Sequence, residues 1–468
     1  MRLRLSPGLA LAFIVAGCGG TASVSPTPPS VGATASPAAS KPAASAAPAS
    51  AAASASAKPA APAKPAASGV AAAAGTPIKV GLLEPVTGSL APLAKDNTDG
   101  FNLYLESVKN TIAGRQIQVI VADEQNQADV AMTKAKGLVE SDKVNILMGL
   151  QNTAVCYAIA GYVKDVQVPA LVTGNCGAEN ATTDPKYKSP YFVRFTQNSS
   201  LLFGPPGDWA AKQGLKTAVL MFADYGGGIE AGDHTAAAYV LGGGSIIQEL
   251  HAPLGTNDFG PYLAKLDQKA DALFFFAPGT DSLRFGEQFG NYVTNKKLQI
   301  IDDGGQLTGG PVLAQLKDKL DGVVVSGIYY EGSDSPQNKA FIQAWKVKYT
   351  GRPVSLDAAQ GWAGAQILEA ALNKVNGNIE DKQAFLNALY ATNIETPKGP
   401  IKLDADHDVI ENMYIYQIVK NGNDLGQKLL QTYPAVARGY ARQAGEPAAG
   451  TLKDKWVGMT KDKLLTAK

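Results

Sequence analysis

The 468-residue chain has little histidine and little cysteine, three of each, and no apolar run after residue 18 is long enough to cross a membrane. His234, His251 and His407 stand in no Ser/His/Asp, Cys/His or zinc-ligand spacing. Its 42 Lys and Arg residues nearly balance 41 Asp and Glu residues, so the charge pattern of a nucleic-acid-binding protein is missing. The composition therefore predicts a protein that is not an enzyme and that uses no metal or cofactor.

The first eighteen residues carry the clearest local pattern. Arg2 and Arg4 precede a short apolar run, which ends in Val-Ala-Gly-Cys with Cys18 as its last residue. A basic start, a short apolar stretch and small residues before a cysteine are typical of a lipoprotein signal peptide. We expect cleavage before Cys18, lipid attachment to its thiol, and an extracytoplasmic protein anchored to a membrane.

The next segment, residues 19–76, consists almost entirely of Ala, Ser, Pro, Gly and Thr. It has no large apolar side chains whose burial would offset the entropy of ordering the chain, and its prolines disfavour helix. The sequence predicts a disordered tether between the anchor and a folded part.

From Ile78 onward, short β-branched apolar runs alternate with longer amphipathic segments, which indicates an α/β fold with doubly wound parallel sheets. Roughly 390 residues remain, enough for two domains of ordinary size. We expect a first lobe of residues 77–197 and 333–400, a second lobe of 198–330 and 401–437, and a tail of 438–468. Strands are predicted at 78–83, 117–122, 144–150, 168–173, 217–223, 245–250, 272–277, 298–302, 323–328, 401–403 and 413–419. Helices are predicted at 99–109, 229–241, 259–268, 281–292, 312–320, 336–349, 356–373, 381–391 and 453–465.

Candidate ligand-binding residues follow the predicted strands. In open parallel sheets, ligands bind beyond the carboxyl ends of the strands, where helix N-termini present free N–H groups. In the first half, Asn152, Thr153 and Asn175 occupy such loops, and Thr153 and Asn175 are equally suited to capping helices. In the second half, Tyr225 either closes over a ligand or packs in the core. Asp303 either binds a cationic group or caps a helix.

Several segments resemble the leucine/isoleucine/valine-binding family, the type I periplasmic binding proteins of ABC importers. They are IKVGLLEPVTG at 78–88, Met148-Gly149, VPAL at 168–171, DYG at 224–226 and GVVV at 322–325, followed by Lys339-Ala340-Phe341 and Lys348-Tyr349. Together they span residues 78–419 in the order found in the family. The resemblance implies two lobes joined by three crossing segments, with a small ligand trapped by hinge closure.

The resemblance also implies roles for single residues. A ligand carboxylate would meet the loops that contain Asn152, Thr153, Asn175 and Cys176, a tyrosine of the second lobe matches Tyr225, and an acid that meets an amino group falls at Asp303. Gly279, in the loop 278–281, and Leu93, where branched-chain amino-acid binders have an aromatic residue, complete the predicted set. Because 253–259 and 398–400 are similar to family members that bind aromatic carboxylates, amino acids and aromatic or related organic acids are equal candidates.

The two remaining cysteines and the partners complete the predictions. Cys156 and Cys176 follow adjacent predicted strands in a compartment that permits disulfides, so we expect them to be bonded. If they are not, Cys176 is a simple pocket residue. The resemblance implies permease subunits as partners, and a two-lobed receptor module that signals to a membrane partner is the alternative.

Overall fold

The computed structural model describes residues 75–422, 424–440 and 453–466. The predicted signal peptide with Cys18, nearly all of the predicted tether and residues 441–452 lie outside this range. The strands are Ile78–Glu84 (β1), Thr111–Ile112 (β2), Arg115–Asp123 (β3), Ile146–Gly149 (β4), Ala170–Val172 (β5), Phe192–Arg194 (β6), Thr217–Asp224 (β7), Ser245–Pro253 (β8), Ala272–Phe276 (β9), Gln299–Asp302 (β10), Val324–Gly327 (β11), Asn393–Thr396 (β12), Gly399–Leu403 (β13), Val409–Asn421 (β14) and Asp424–Val436 (β15). The α-helices are Ala91–Ser107 (α1), Ala128–Lys136 (α2), Thr153–Val166 (α3), Ser199–Lys212 (α4), Gly226–Leu241 (α5), Gly260–Leu263 (α6), Thr280–Tyr292 (α7), Gly310–Leu316 (α8), Pro336–Lys348 (α9), Leu356–Lys374 (α10), Lys382–Tyr390 (α11) and Lys461–Thr466 (α12).

Within the described residues, these strands form two sheets. The first has the order β2-β3-β1-β4-β5-β6 and is parallel from β3 to β6. The second has the order β12-β13-β14-β11-β10-β9-β7-β8, with β15 beside β14, and is parallel from β11 to β8. We call each sheet with the helices packed on it the first and the second lobe. The predicted α/β fold with two lobes is confirmed, although β12 to β15 make the second sheet mixed.

The central strands carry apolar residues on both faces because both faces of each sheet are covered. In β1, Ile78 and Val80 belong to one buried cluster, whereas Leu83 belongs to another. In β9, Phe274 and Phe275 divide between two clusters in the same way. Side chains alternate across a strand, so a buried parallel strand needs apolar residues at odd and even positions alike.

Helices α1 and α10 pack very closely in the first lobe. A Cβ on Gly100 would lie 2.0 Å from the carbonyl oxygen of Ala358, and one on Gly361 would lie 1.9 Å from that of Asn97. Only glycine allows backbones to approach to this distance. This contact holds α1, which carries Leu93, against α10.

Six elements stand where the sequence analysis gave no boundaries, namely α2, α3, α4, β2, β6 and β12. Four further differences have a physical reason. Helix α1 begins at Ala91 and not at residue 99, because Pro92 is accepted in a first helical turn. The helix predicted at 259–268 is only the four-residue α6, since Asp267 accepts from the N–H of Lys269 and forms a turn. Strand β15 was not predicted, because much of it is exposed and polar. β12 and β13 belong to the second sheet. The chain therefore enters the second lobe for the last time before residue 400, where the sequence predicted this boundary.

Candidate functional site

A cavity of about 30 Å³ lies between the lobes, beyond the carboxyl ends of the parallel strands. This volume holds only about two water molecules, so the closed lobes leave little free space between them. The polar residues that line it are Gln151, Thr153, Asn175, Gln197, Asn198, Tyr225 and Gln306. The other lining residues are Leu90, Leu93, Gly177, Leu202, Phe203, Gly227, Phe276 and Pro278. Both lobes therefore contribute to one enclosed site.

No acidic or basic residue is among the described residues that line this cavity. Instead, two helices from opposite lobes begin at it, α3 at Thr153 and α5 at Gly226. The first N–H groups of a helix have no partner within the helix and carry a partial positive charge. The side chain of Asn152 caps α3 by accepting from the N–H of Ala154 at 2.8 Å. The arrangement favours a ligand with a negative charge.

Two hydroxyl groups meet across the cleft beside Gly227. A Cβ on Gly227 would lie 2.9 Å from Oγ1 of Thr153, in the first lobe, and 2.8 Å from Oη of Tyr225, in the second. Neither hydroxyl has a hydrogen-bond partner within the part of the chain that the structure describes. Burial raises the pKa of Tyr225, so its hydroxyl stays protonated and able to donate. Both groups are free to bind a ligand oxygen.

Asn175 is fully engaged in the wall of the first lobe. Its backbone N–H donates to Oε1 of Gln151 at 2.8 Å, and its Oδ1 accepts from Nε2 of Gln197 at 2.6 Å. Its Nδ2 donates to Oδ1 of Asp357. Burial raises the pKa of Asp357 to about 8, so this carboxyl is mostly protonated at neutral pH. The network makes Asn175 a residue that shapes the wall.

The opposite side of the cavity is aromatic and apolar. The rings of Phe203 and Phe276 meet edge to face with centroids 4.9 Å apart, beside Leu202. Gln306 interrupts this surface: its Nε2 donates to the carbonyl of Gly304 at 2.8 Å, while its buried Oε1 has no partner among the described residues. The surface suits a planar ring that carries a hydrogen-bond donor.

Direct contacts join the lobes beside the cavity. The N–H of Thr280 donates to the carbonyl of Ser89 at 3.0 Å, and the hydroxyl of Tyr157 donates to Oε1 of Glu230 at 3.0 Å. Gly279 has a φ of +70°, and a Cβ there would lie 2.0 Å from the Ser89 carbonyl oxygen. The structure therefore shows the lobes closed on each other.

Residues 77–423 match the family model of the periplasmic binding protein. The chain belongs to this family. It is a solute-binding protein of an ABC transporter, a class that binds small ligands outside the cytoplasm and is not enzymatic. In the described part of this binding protein, no helix is both long and apolar enough to span a bilayer.

Relatives with names and structures support the same family. The Leu/Ile/Val-binding protein homolog 6 of Brucella melitensis is 27% identical over 351 residues, which cover 73% of this chain and 88% of the relative. A solute-binding protein from Rhodopseudomonas palustris BisB5, solved with 3,4-dihydroxybenzoic acid, is 31% identical and has a TM-score of 0.72. The match covers 78% of this chain and 98% of the R. palustris chain. Another from R. palustris, solved with benzoate, is 26% identical with a TM-score of 0.71 and coverages of 82% and 99%.

The structure places half of the predicted ligand-binding set at the cavity of the binding protein. Leu93, Thr153, Asn175 and Tyr225 line it. The other four, Asn152, Cys176, Gly279 and Asp303, are not among its lining residues.

The placement of Asp303 needs the largest correction. Its side chain is wholly buried, with Oδ2 accepting from Oγ1 of Thr235 at 2.5 Å and Oδ1 accepting from Oγ of Ser326 at 3.0 Å. Burial raises its pKa well above the usual value. Its side chain therefore points into the second lobe, and it is not among the described residues that line the cavity.

The other three residues have structural positions. Asn152 caps α3, and Gly279 closes against the first lobe. Cys176 forms a disulfide with Cys156, with Cα atoms 6.3 Å apart, and its carbonyl accepts from Arg194 at 2.8 Å. Its sulfur is therefore not available to a ligand.

Sequence reasoning missed several residues that line the cavity. Gln197 and Asn198 lie in the crossing segment between β6 and α4, and β6 was not recognised as a strand. Phe276 and Gln306 lie at or beyond the ends of predicted strands. For these two, the rule that ligands bind at carboxyl ends was a sufficient signal.

Proposed function

We propose that this protein captures a small carboxylate with an aromatic body between its lobes and delivers it to the permease of an ABC importer. The observation that carries the proposal is the composition of the cavity. Among the described residues, no charged side chain lines it, two helices begin at it, and aromatic rings form one of its sides. A carboxylate finds N–H and O–H donors at Thr153, Tyr225 and the start of α5.

The same cavity disfavours amino acids, the second candidate. An ammonium group has three donors and a full positive charge, and its burial is costly unless an acid or several acceptors compensate. Asp303, the acid expected to do so, points away from the cavity, and Gln306 offers one neutral oxygen. That oxygen instead suits a ring hydroxyl, a group present in the dihydroxybenzoic acid bound by the R. palustris BisB5 protein. The names of the Brucella relatives favour the amino-acid candidate.

The membrane anchor also belongs to the proposal. The Val-Ala-Gly-Cys sequence before residue 19 supports lipidation of Cys18, and residues 19–76 supply a long Ala/Pro/Ser-rich connection to the folded lobes. A solute-binding protein tied to the membrane stays near its permease.

Matched ligand pairs test the ligand class. Phenylalanine and 3-phenylpropanoate differ only by the amino group, as do leucine and 4-methylpentanoate, and benzoate and 4-hydroxybenzoate differ only by the ring hydroxyl. We expect the carboxylates without an amine to raise the melting temperature and the amino acids to leave it unchanged. At 100 times its dissociation constant, a ligand stabilises by about 2.7 kcal/mol. Tighter binding of the amino acid in each pair would contradict the proposal.

A variant tests the site. Thr153→Val keeps the shape of the side chain but removes the hydroxyl, so affinity for the best carboxylate should fall by about 1.5–3 kcal/mol, the range for hydrogen bonds to charged groups. Thr133→Val, at an exposed position of α2 away from the cavity lining, is the matched control. Equal affinities of the two variants in calorimetry would remove Thr153 from the site.

A further inference from the structure

Three metal-ligating side chains meet on the second lobe, outside the ligand cavity. Glu249 and His251 stand two residues apart on β8, so both side chains lie on the same face of the strand. β8 is an edge strand of the second sheet. The C-terminal segment 453–466 lies next to this strand and places Asp454 beside His251. One ligand atom of each residue lies within 4.8 Å of the others.

The spacing of these atoms matches a metal site. Nε2 of His251 is 3.4 Å from Oε2 of Glu249 and 3.4 Å from Oδ1 of Asp454. A tetrahedral ion with bonds of about 2.0–2.1 Å holds neighbouring ligand atoms about 3.3–3.4 Å apart. The two distances from Nε2 of His251 therefore already equal the spacing that a tetrahedral ion requires between its ligand atoms.

The Glu249 carboxylate is held in position before any ion binds. Its side chain is 4% exposed, Oε2 accepts from the N–H of Asp454 at 3.0 Å, and Oε1 accepts from the N–H of Trp456 at 2.6 Å. Trp456 is itself buried, and its Nε1 donates to Oδ1 of Asp233 at 2.8 Å. The segment that carries Asp454 is thus docked with its carboxylate facing His251, and such outer contacts are what orient metal ligands.

Charge also favours an ion. Two carboxylates face one imidazole nitrogen, so a proton on His251 balances only one of the two negative charges. A divalent ion balances both, and it binds neutral imidazole and carboxylate ligands directly.

We propose that Glu249, His251 and Asp454 bind one zinc-like divalent transition-metal ion, with water as the fourth ligand. The ion joins β8 to the C-terminal segment. It lies apart from the ligand cavity, so it fastens the end of the chain to the second lobe without contacting the transported solute.

Calorimetry with zinc chloride tests the site on the full chain after chelator treatment. The Cys18→Ala background is used, because the two cysteines that remain, Cys156 and Cys176, are bonded to each other and offer no thiol to zinc. We expect one zinc ion per chain, and His251→Gln and Asp454→Asn should each weaken binding at least tenfold. His407→Gln is the matched control, since this histidine lies elsewhere and should leave zinc affinity unchanged.

Hydrogen exchange supplies a second readout that does not depend on the affinity measurement. Zinc should slow exchange of the amides in 453–466 in the parent protein and should have no effect on them in Asp454→Asn. Equal zinc binding by the parent and His251→Gln would overturn the proposal. So would a tail whose amide exchange in the parent protein is unchanged by zinc.

Discussion

Gly227→Ala offers the sharpest test of how the lobes close. The new methyl group would lie 2.9 Å from Oγ1 of Thr153 and 2.8 Å from Oη of Tyr225, well inside ordinary van der Waals contact. Because Thr153 belongs to the other lobe, its overlap with the methyl group exists only when the lobes are closed, whereas the overlap with Tyr225 lies within the second lobe and exists in the open state as well. The variant should therefore lose more free energy of ligand binding than free energy of unfolding without ligand.

The size of the loss follows from the geometry. Restoring an ordinary contact requires a shift of about half an ångström or more, and such overpacking typically costs about 1–3 kcal/mol. That range corresponds to a loss of about 5- to 150-fold in affinity. Alanine at a helical position adds at most about 1 kcal/mol of helix stability over glycine, which offsets part of the overlap with Tyr225 in the unliganded protein.

Gly226→Ala is the matched control, one residue earlier in the same helix. A Cβ there would have only the Cγ2 atom of Thr153 within 4 Å, at 3.8 Å, which is an ordinary contact. Calorimetry with the best carboxylate ligand and thermal unfolding without ligand should be run on both variants. If Gly227→Ala binds within twofold of Gly226→Ala, the closed arrangement described here is not the ligand-bound one.

The remaining predictions concern the anchor, the disulfide and pH. Cys18→Ala should move the protein from the membrane pellet to the soluble fraction without changing its melting temperature, as fractionation and thermal unfolding will show. Reduction of Cys156–Cys176, which are 20 residues apart, should lower the free energy of unfolding by about 3 kcal/mol in denaturant titrations. Burial raises the pKa of Asp357 to about 8, so its protonated form stabilises the fold fully below about pH 4, and this contribution is lost as the pH rises through about 8. Asp357→Asn should therefore flatten the fall in melting temperature between about pH 4 and pH 8.

Most of the fold could be predicted because its central strands are apolar on both faces. β1 and β9 have this pattern, and their positions in the sequence were found within one residue. Two of the strands that were missed have weaker patterns. β6 is only three residues long, and much of β15 is exposed at the side of β14.

The site was predicted less completely, for a reason that Asp303 makes clear. The end of β10 could be found from sequence, but successive side chains beyond a strand point in different directions. Asp302 turns to the N–H groups of Gln306 and Leu307, and Asp303 turns to Thr235. Neither lines the cavity. Sequence position gave the right loop, whereas the direction of each side chain depends on contacts made by distant residues.

The buried acids near the cavity bear on the proposed preference for an anionic ligand. Glu230 lies beside the Gly177 wall, and Asp357 contacts Asn175. If both were ionised, they would repel a carboxylate in the closed cleft. Burial raises the pKa of each, and it also does so for Glu84 behind Gly149. Burial therefore favours the neutral form of these acids, and the helix N-termini then dominate the local potential. A ligand ammonium would gain no compensation from these acids, because neutral acids cannot balance its charge, and we therefore expect the cavity to favour an anionic solute.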